Sequence, residues 1–195
     1  EIRIGYLGLP RTHPDFYATS VMNMKLGGNF SGDVNMVLRE EKGFTYGART
    51  GFSGSKFSGK LTASSGVRSN TTEESVNIFK NLMSAYRNPI SDEDLEFTKN
   101  VTLKSNARRF ETLGALRGMI SNIATYGLPV NYIEDQEDIV RNMSVESHNA
   151  LANKYIRPDE MIYLVVGDAA TQLDGMKSLG FGGPILLDAN GNPVK

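Results

Sequence analysis

Leu38-Arg39-Glu40-Glu41-Lys42-Gly43-Phe44-Thr45-Tyr46, entered through Leu26-Gly27-Gly28-Asn29-Phe30-Ser31, is the stretch on which the reading of the fold turns. Ser31 is placed to cap a short helix whose apolar positions Val34, Val37 and Leu38 recur at helical spacing, and Gly43 supplies a left-handed residue to end it. Arg39 then falls in the last turns. After Gly43 the pattern becomes alternation, with Phe44, Tyr46 and Ala48 on one side and Thr45, Gly47 and Arg49 on the other, which predicts a strand opened by Tyr46. A helix that stops and passes directly into a strand can bring Arg39 and Tyr46 close, offering a guanidinium fork and a phenolic hydroxyl to one acceptor. Two such donors suit a peptide carbonyl or an oxyanion. Without the flanking pattern a plainer reading stands beside this one: an arginine near a helix C-terminus is favoured by the dipole and pairs with a neighbouring glutamate, and a tyrosine opening a strand packs in a core.

Upstream, Ile2, Ile4 and Tyr6 alternate as a first strand, and Pro14-Asp15 opens a helix carrying Tyr17, Val21, Met24 and Leu26 into the Gly-Gly segment. Downstream, the strand through Tyr46 and Phe52 turns at Gly54 into a second one through Phe57, Gly59, Leu61 and Ala63, a hairpin. Thr71 with Glu74 has the form of a capping box for a helix bearing Val76, Phe79, Leu82, Met83 and Tyr86, and Ser91 with Asp94 starts another. Further helices are expected over Leu113 to Ile123 and Tyr132 to Met143, and Ser144 caps one holding Leu151 and Tyr155. The run Met161 to Val166 predicts a central strand buried on both faces, and Ile185-Leu186-Leu187 a terminal strand. The sum is an α+β fold, a mixed, largely antiparallel sheet covered by helices mainly on one face, with residues 1–195 as one domain.

The Leu-Gly-Gly segment followed by Leu-Arg-Glu-Glu-Lys-Gly-x-x-Tyr resembles the C-terminal, non-catalytic kind of domain in the pitrilysin/insulinase family of zinc metallopeptidases. The likeness continues in Tyr126-Gly127-Leu128-Pro129, in Ala152-Asn153-Lys154-Tyr155-Ile156-Arg157-Pro158 and in Tyr163-Leu164-Val165-Val166-Gly167-Asp168. The resemblance implies the fold of a mitochondrial processing peptidase-like half and a clam-like enzyme. In it a partner domain with His-x-x-Glu-His carries zinc, in the same chain or a separate subunit, and this domain closes the chamber. By that resemblance Arg39 and Tyr46 match the pair that binds the backbone of a peptide substrate and stabilises the tetrahedral intermediate at the partner's zinc. The alternative within the same resemblance is an inactive structural or assembly subunit.

No metal ligand or general base is expected in this chain: His13 and His148 are isolated, outside any His-x-x-Glu-His or His-x-x-x-His spacing. No phosphate loop or dinucleotide fingerprint is present, and Asp188-Ala189-Asn190-Gly191-Asn192 reads as a turn rather than a calcium loop. The net charge of −1 with dispersed basic residues leaves no electrostatic footprint for nucleic acid. No apolar run approaches the roughly 20 residues that span a bilayer. The absence of cysteine is compatible with periplasmic, secreted or cytoplasmic settings alike. Glu1 enters directly into strand-like sequence, as expected of a domain excised from a longer chain.

Overall fold

Alternating apolar residues build the first strand, β1 (Ile2–Gly8), whose Ile2 and Ile4 are fully buried. The computed structural model describes residues 1–194. The remaining strands are β2 (Thr45–Gly54), β3 (Gly59–Val67) and β4 (Ile162–Val165). The helices are α1 (Phe16–Asn23), α2 (Asp33–Asn35), α3 (Thr72–Ala85), α4 (Asp92–Ala107), α5 (Leu113–Tyr126), α6 (Tyr132–Asn142), α7 (Val145–Tyr155) and α8 (Ala169–Lys177). β2 and β3 form the expected hairpin, β1 pairs with β3, and β4 lies on the far side of β1. The order is thus β2-β3-β1-β4, with all three pairings antiparallel. One face of this sheet, through Ile2, Ile4, Leu61 and Ala63, packs on Val76, Phe79 and Met83 of α3 and on Ala152 and Ile156 at the end of α7. A smaller cluster, Val21, Leu95, Val140 and Met143, joins α1, α4 and α6. The opposite face is open, leaving Leu7 85% and Ile162 74% exposed. This is an α+β fold with helices against one face of the sheet.

Four local expectations are corrected. Met161 to Val166 does not form a central strand: β4 pairs only with β1 at the sheet's edge, and Ile162 and Leu164 face outward. Ile185-Leu186-Leu187 is not a strand of the sheet; Leu187 makes a lone antiparallel bridge to Pro193 around a turn bonded to Asp188. Ser31 does not cap α2, whose N-cap is Gly32, and Thr71 makes no side-chain cap. Its hydroxyl donates to the Arg68 carbonyl at 2.9 Å, while Glu74 receives Lys42 Nζ at 2.8 Å. Ser144 does cap α7, in a reciprocal box with Ser147.

His148, on α7, is completely buried. Tyr86 donates its hydroxyl to the Met22 carbonyl at 2.6 Å, so the 3.2 Å contact between that hydroxyl and His148 Nε2 has the imidazole as donor. Nδ1 is left buried without a partner, and that is where a second proton would go. Burial accordingly holds the imidazole below the ordinary histidine value of 6.5, against a weaker opposing contribution from the Met22 backbone. Between the lowered folded value and 6.5 the unfolded chain binds more protons. The neutral imidazole therefore favours the fold fully above pH 6.5, and this contribution is lost as pH falls through the folded value. Urea midpoints at pH 7.5 and pH 5.5 are expected to differ less in His148→Gln than in the wild type; an unchanged difference contradicts this account.

Candidate functional site

The Leu-Gly-Gly segment works through contact distance. Gly27 lies so close to β2 that a Cβ there would meet the Thr50 backbone nitrogen and hydroxyl at 2.7 Å, and at Gly32 one would meet Gly27 Cα at 2.6 Å. The chain from the end of α1 through α2 is thereby pressed along the outer edge of β2. Two asparagines complete the seam. Asn23 Nδ2 donates to the Thr50 carbonyl at 2.9 Å and its Oδ1 accepts from the Thr50 hydroxyl at 2.7 Å. Asn35 Oδ1 accepts from the Ala48 N–H at 3.0 Å, and its Nδ2 donates to the Phe30 carbonyl at 2.7 Å. These amides bond the Ala48 N–H and the Thr50 carbonyl where an added strand would otherwise do so, and satisfy the edge of the sheet from within at those two residues.

α2 runs on through a widened turn, Met36–Glu41, that carries Arg39. The turn closes at Gly43, which adopts the left-handed conformation expected of it (φ 62°) while its N–H donates to the Arg39 carbonyl at 3.1 Å. The Arg39 guanidinium lies over the ring of Phe30, 4.6 Å from the centroid. Its Nη1 is 2.9 Å from Glu40 Oε1 without the alignment of a hydrogen bond, which leaves a buried N–H with no acceptor along its axis. The plainer expectation, pairing with a neighbouring glutamate, is thus met in distance but not in direction.

Tyr46 departs from the alternation read in the sequence. The pairing of β2 with β3 slips between Thr45 and Ala48, a bulge that frees Tyr46 from the core side. The bulge is tied down by Thr45, whose hydroxyl donates to the Gly66 carbonyl at 2.7 Å and accepts from the Gly47 N–H at 3.0 Å, and by Ser65, which donates to the Gly47 carbonyl at 3.0 Å. Tyr46 is 100% exposed, so the reading of it as core packing is excluded. Among the described residues no hydrogen bond or ion pair joins Arg39 to Tyr46; Arg39 lies on Phe30, and Asn35 ties the Phe30 carbonyl to the N–H of Ala48, two residues beyond Tyr46. Neither Phe30 nor the two asparagines were singled out as site residues from the sequence. The available signal was an asparagine within each apolar helical pattern, at the end of α1 and of α2, where its side chain competes with the backbone.

Among the described residues no three His, Cys, Asp or Glu side chains converge on a metal position. Both histidines are committed elsewhere, His148 to Tyr86 and His13 through Nδ1 to the Asp15 N–H at 3.0 Å. The described residues therefore offer no donor set that fits a zinc site. Among the described residues no helix is long and apolar enough to cross a membrane.

A family model described as the peptidase M16 inactive domain matches residues 1–102. No curated protein matches significantly. Among solved structures, a peptidase M16 inactive domain from Pseudomonas fluorescens superposes with a TM-score of 0.76 at 25% identity, over 86% of this chain and 42% of that one. The inactive peptidase domain of a candidate zinc protease from Bordetella parapertussis gives 0.68 at 15% identity, over 86% and 93%. The periplasmic protease PqqL from Escherichia coli gives 0.65 at 15% identity, over 83% and 18%. The latter two likenesses are of fold alone. The chain spans less than half the length of the Pseudomonas fluorescens structure.

Proposed function

The chain belongs to the peptidase M16 inactive-domain family, and from that footing we propose that it is the non-catalytic C-terminal half of a zinc metalloendopeptidase. In this reading residues 1–195 form one domain that closes a chamber against a His-x-x-Glu-His domain, in the same chain or a separate subunit, which holds the zinc. Arg39 and Tyr46 would then present their donors to the backbone carbonyl of a peptide, and to the oxyanion that replaces it during hydrolysis. The observation that carries the proposal is the locked bulge at Thr45–Ala48, which holds the Tyr46 phenol wholly in solvent with no partner of its own. A fully exposed tyrosine beside a bulge tied by side-chain bonds has no packing role in this chain.

The test mixes this chain with its candidate zinc-bearing half and follows peptide cleavage, with each half alone and a chelator as controls. Cleavage is expected only in the mixture and only without chelator. Stable association with no cleavage would replace this reading by that of an assembly subunit.

A further inference from the structure

Arg11 and Arg109, far apart in the sequence, line one cleft of about 310 Å³ between α5, α6 and the loop that follows β1. Tyr132, Gln136, Asn122 and Met119 line it with them. Both guanidinium groups are held in place by neutral neighbours. Arg11 lies over the Phe16 ring at 4.8 Å, and its backbone N–H donates to the Ser55 carbonyl at 2.8 Å. Arg109 Nη1 donates to Gln136 Oε1 at 3.1 Å, and Gln136 is itself only 9% exposed. Among the described residues the arginines in ion pairs are Arg3, Arg39, Arg141 and Arg157, so no carboxylate neutralises either member of this pair.

That arrangement is unfavourable as a free surface. The chain has 22 acidic residues against 21 basic ones, yet places two fixed cations together in a concave site lined with neutral groups. Like charges repel there, and the cleft walls focus their field outward. The remaining polar groups can all donate: Gln136 spends its carbonyl on Arg109 and keeps its amide N–H groups, and the Asn122 amide and Tyr132 hydroxyl each carry a donor. Met119 supplies an apolar wall. The lining offers a cation no carboxylate and sets two positive charges against it, whereas a planar or tetrahedral oxyanion matches a guanidinium fork, and the volume lies at the small end of ligand sites.

We propose that this cleft binds a small-molecule oxyanion, a carboxylate or a phosphate, between Arg11 and Arg109, with any apolar part of the molecule against Met119. The ligand also bears on the fold. α5 has no fully buried residue, so an occupant bonded to Arg109 and packed on Met119 would fasten that helix to α6. The proposal is independent of the peptide-binding role assigned to Arg39 and Tyr46.

Its test titrates the chain with inorganic phosphate, with benzoate, and with benzylamine as a molecule of the same ring and opposite charge, followed by backbone amide shifts. Saturable shifts across residues 109–122 and 132–136 are expected with phosphate or benzoate, and none with benzylamine. Whichever anion binds more tightly identifies the source of the oxyanion. Arg11→Gln and Arg109→Gln should each weaken binding about tenfold or more. Arg109→Lys keeps the charge without the fork; it should give an unchanged circular dichroism spectrum and still bind more weakly, separating ligand contact from folding. Binding that ignores all three substitutions, the absence of saturable shifts with either anion, or equal binding of benzylamine would each overturn the proposal.

Discussion

Replacing Arg39 by Ala, or Tyr46 by Phe, in the two-domain peptidase proposed above is expected to lower turnover of a matched peptide by about 10²- to 10³-fold, the usual effect of removing one oxyanion donor. The two substitutions test different things. Tyr46→Phe removes only a hydroxyl that is wholly in solvent, so it leaves packing and the bulge intact, and its effect can be read as chemistry. Arg39→Ala also removes a cation over Phe30 and a contact with Glu40. Both of its groups are partly exposed, and such ion pairs contribute about 0 to 1 kcal/mol, so the fold should survive. For the same reason the Glu40 contact does not hold Arg39 back from a stronger acceptor. The loss should appear in kcat rather than in KM alone, because the oxyanion is absent from the bound substrate and develops only on the way to the tetrahedral intermediate. Unchanged kcat in both variants, with the two halves still associated, would leave this domain a structural role.

Much of the local structure around Arg39 and Tyr46 is legible in the sequence because its signals are local. The stop at Gly43 needs only a left-handed residue, and the β2–β3 hairpin needs only alternation on both sides of a turn. What escaped the sequence depends on residues far away along the chain. The bulge that turns Tyr46 outward is made by bonds from Thr45 and Ser65, twenty residues apart, and no window around Tyr46 contains both. The placement of β4 failed for a related reason. A continuous apolar run reports affinity for apolar surroundings on both faces, but position within a sheet is decided by which strands pair, and here β1 takes β3 on its other side. The asparagines at 23 and 35 fall inside apolar helical patterns, where they read as interruptions. Only the sheet edge beside them shows that each stands in for a missing strand.

Gly27→Ala is the substitution expected to damage the fold most for the least added volume. The new methyl would lie 2.6 Å from Val34 Cγ2 and 2.7 Å from both the Thr50 nitrogen and hydroxyl. Val34 is fully buried, and the Thr50 backbone is fixed in β2, so neither can withdraw cheaply. Relief requires the segment to lift from the strand, and that movement also breaks the buried bonds between Asn23 and Thr50. Overpacking costs about 1 to 3 kcal/mol, and each buried polar group left unpaired about 1 to 3 kcal/mol more, so a loss of about 3 kcal/mol or greater is expected. Gly51→Ala is the matched control in the same strand, since a Cβ there meets nothing within 4 Å; its urea midpoint should stay close to that of the wild type. The same lift would carry Phe30 away from beneath Arg39. In the assembled enzyme the variant should therefore lose activity even below its unfolding midpoint, while Gly51→Ala keeps it. If Gly27→Ala proved as stable as Gly51→Ala, the seam would not be clamped by close approach, and the placement of Arg39 would need another cause.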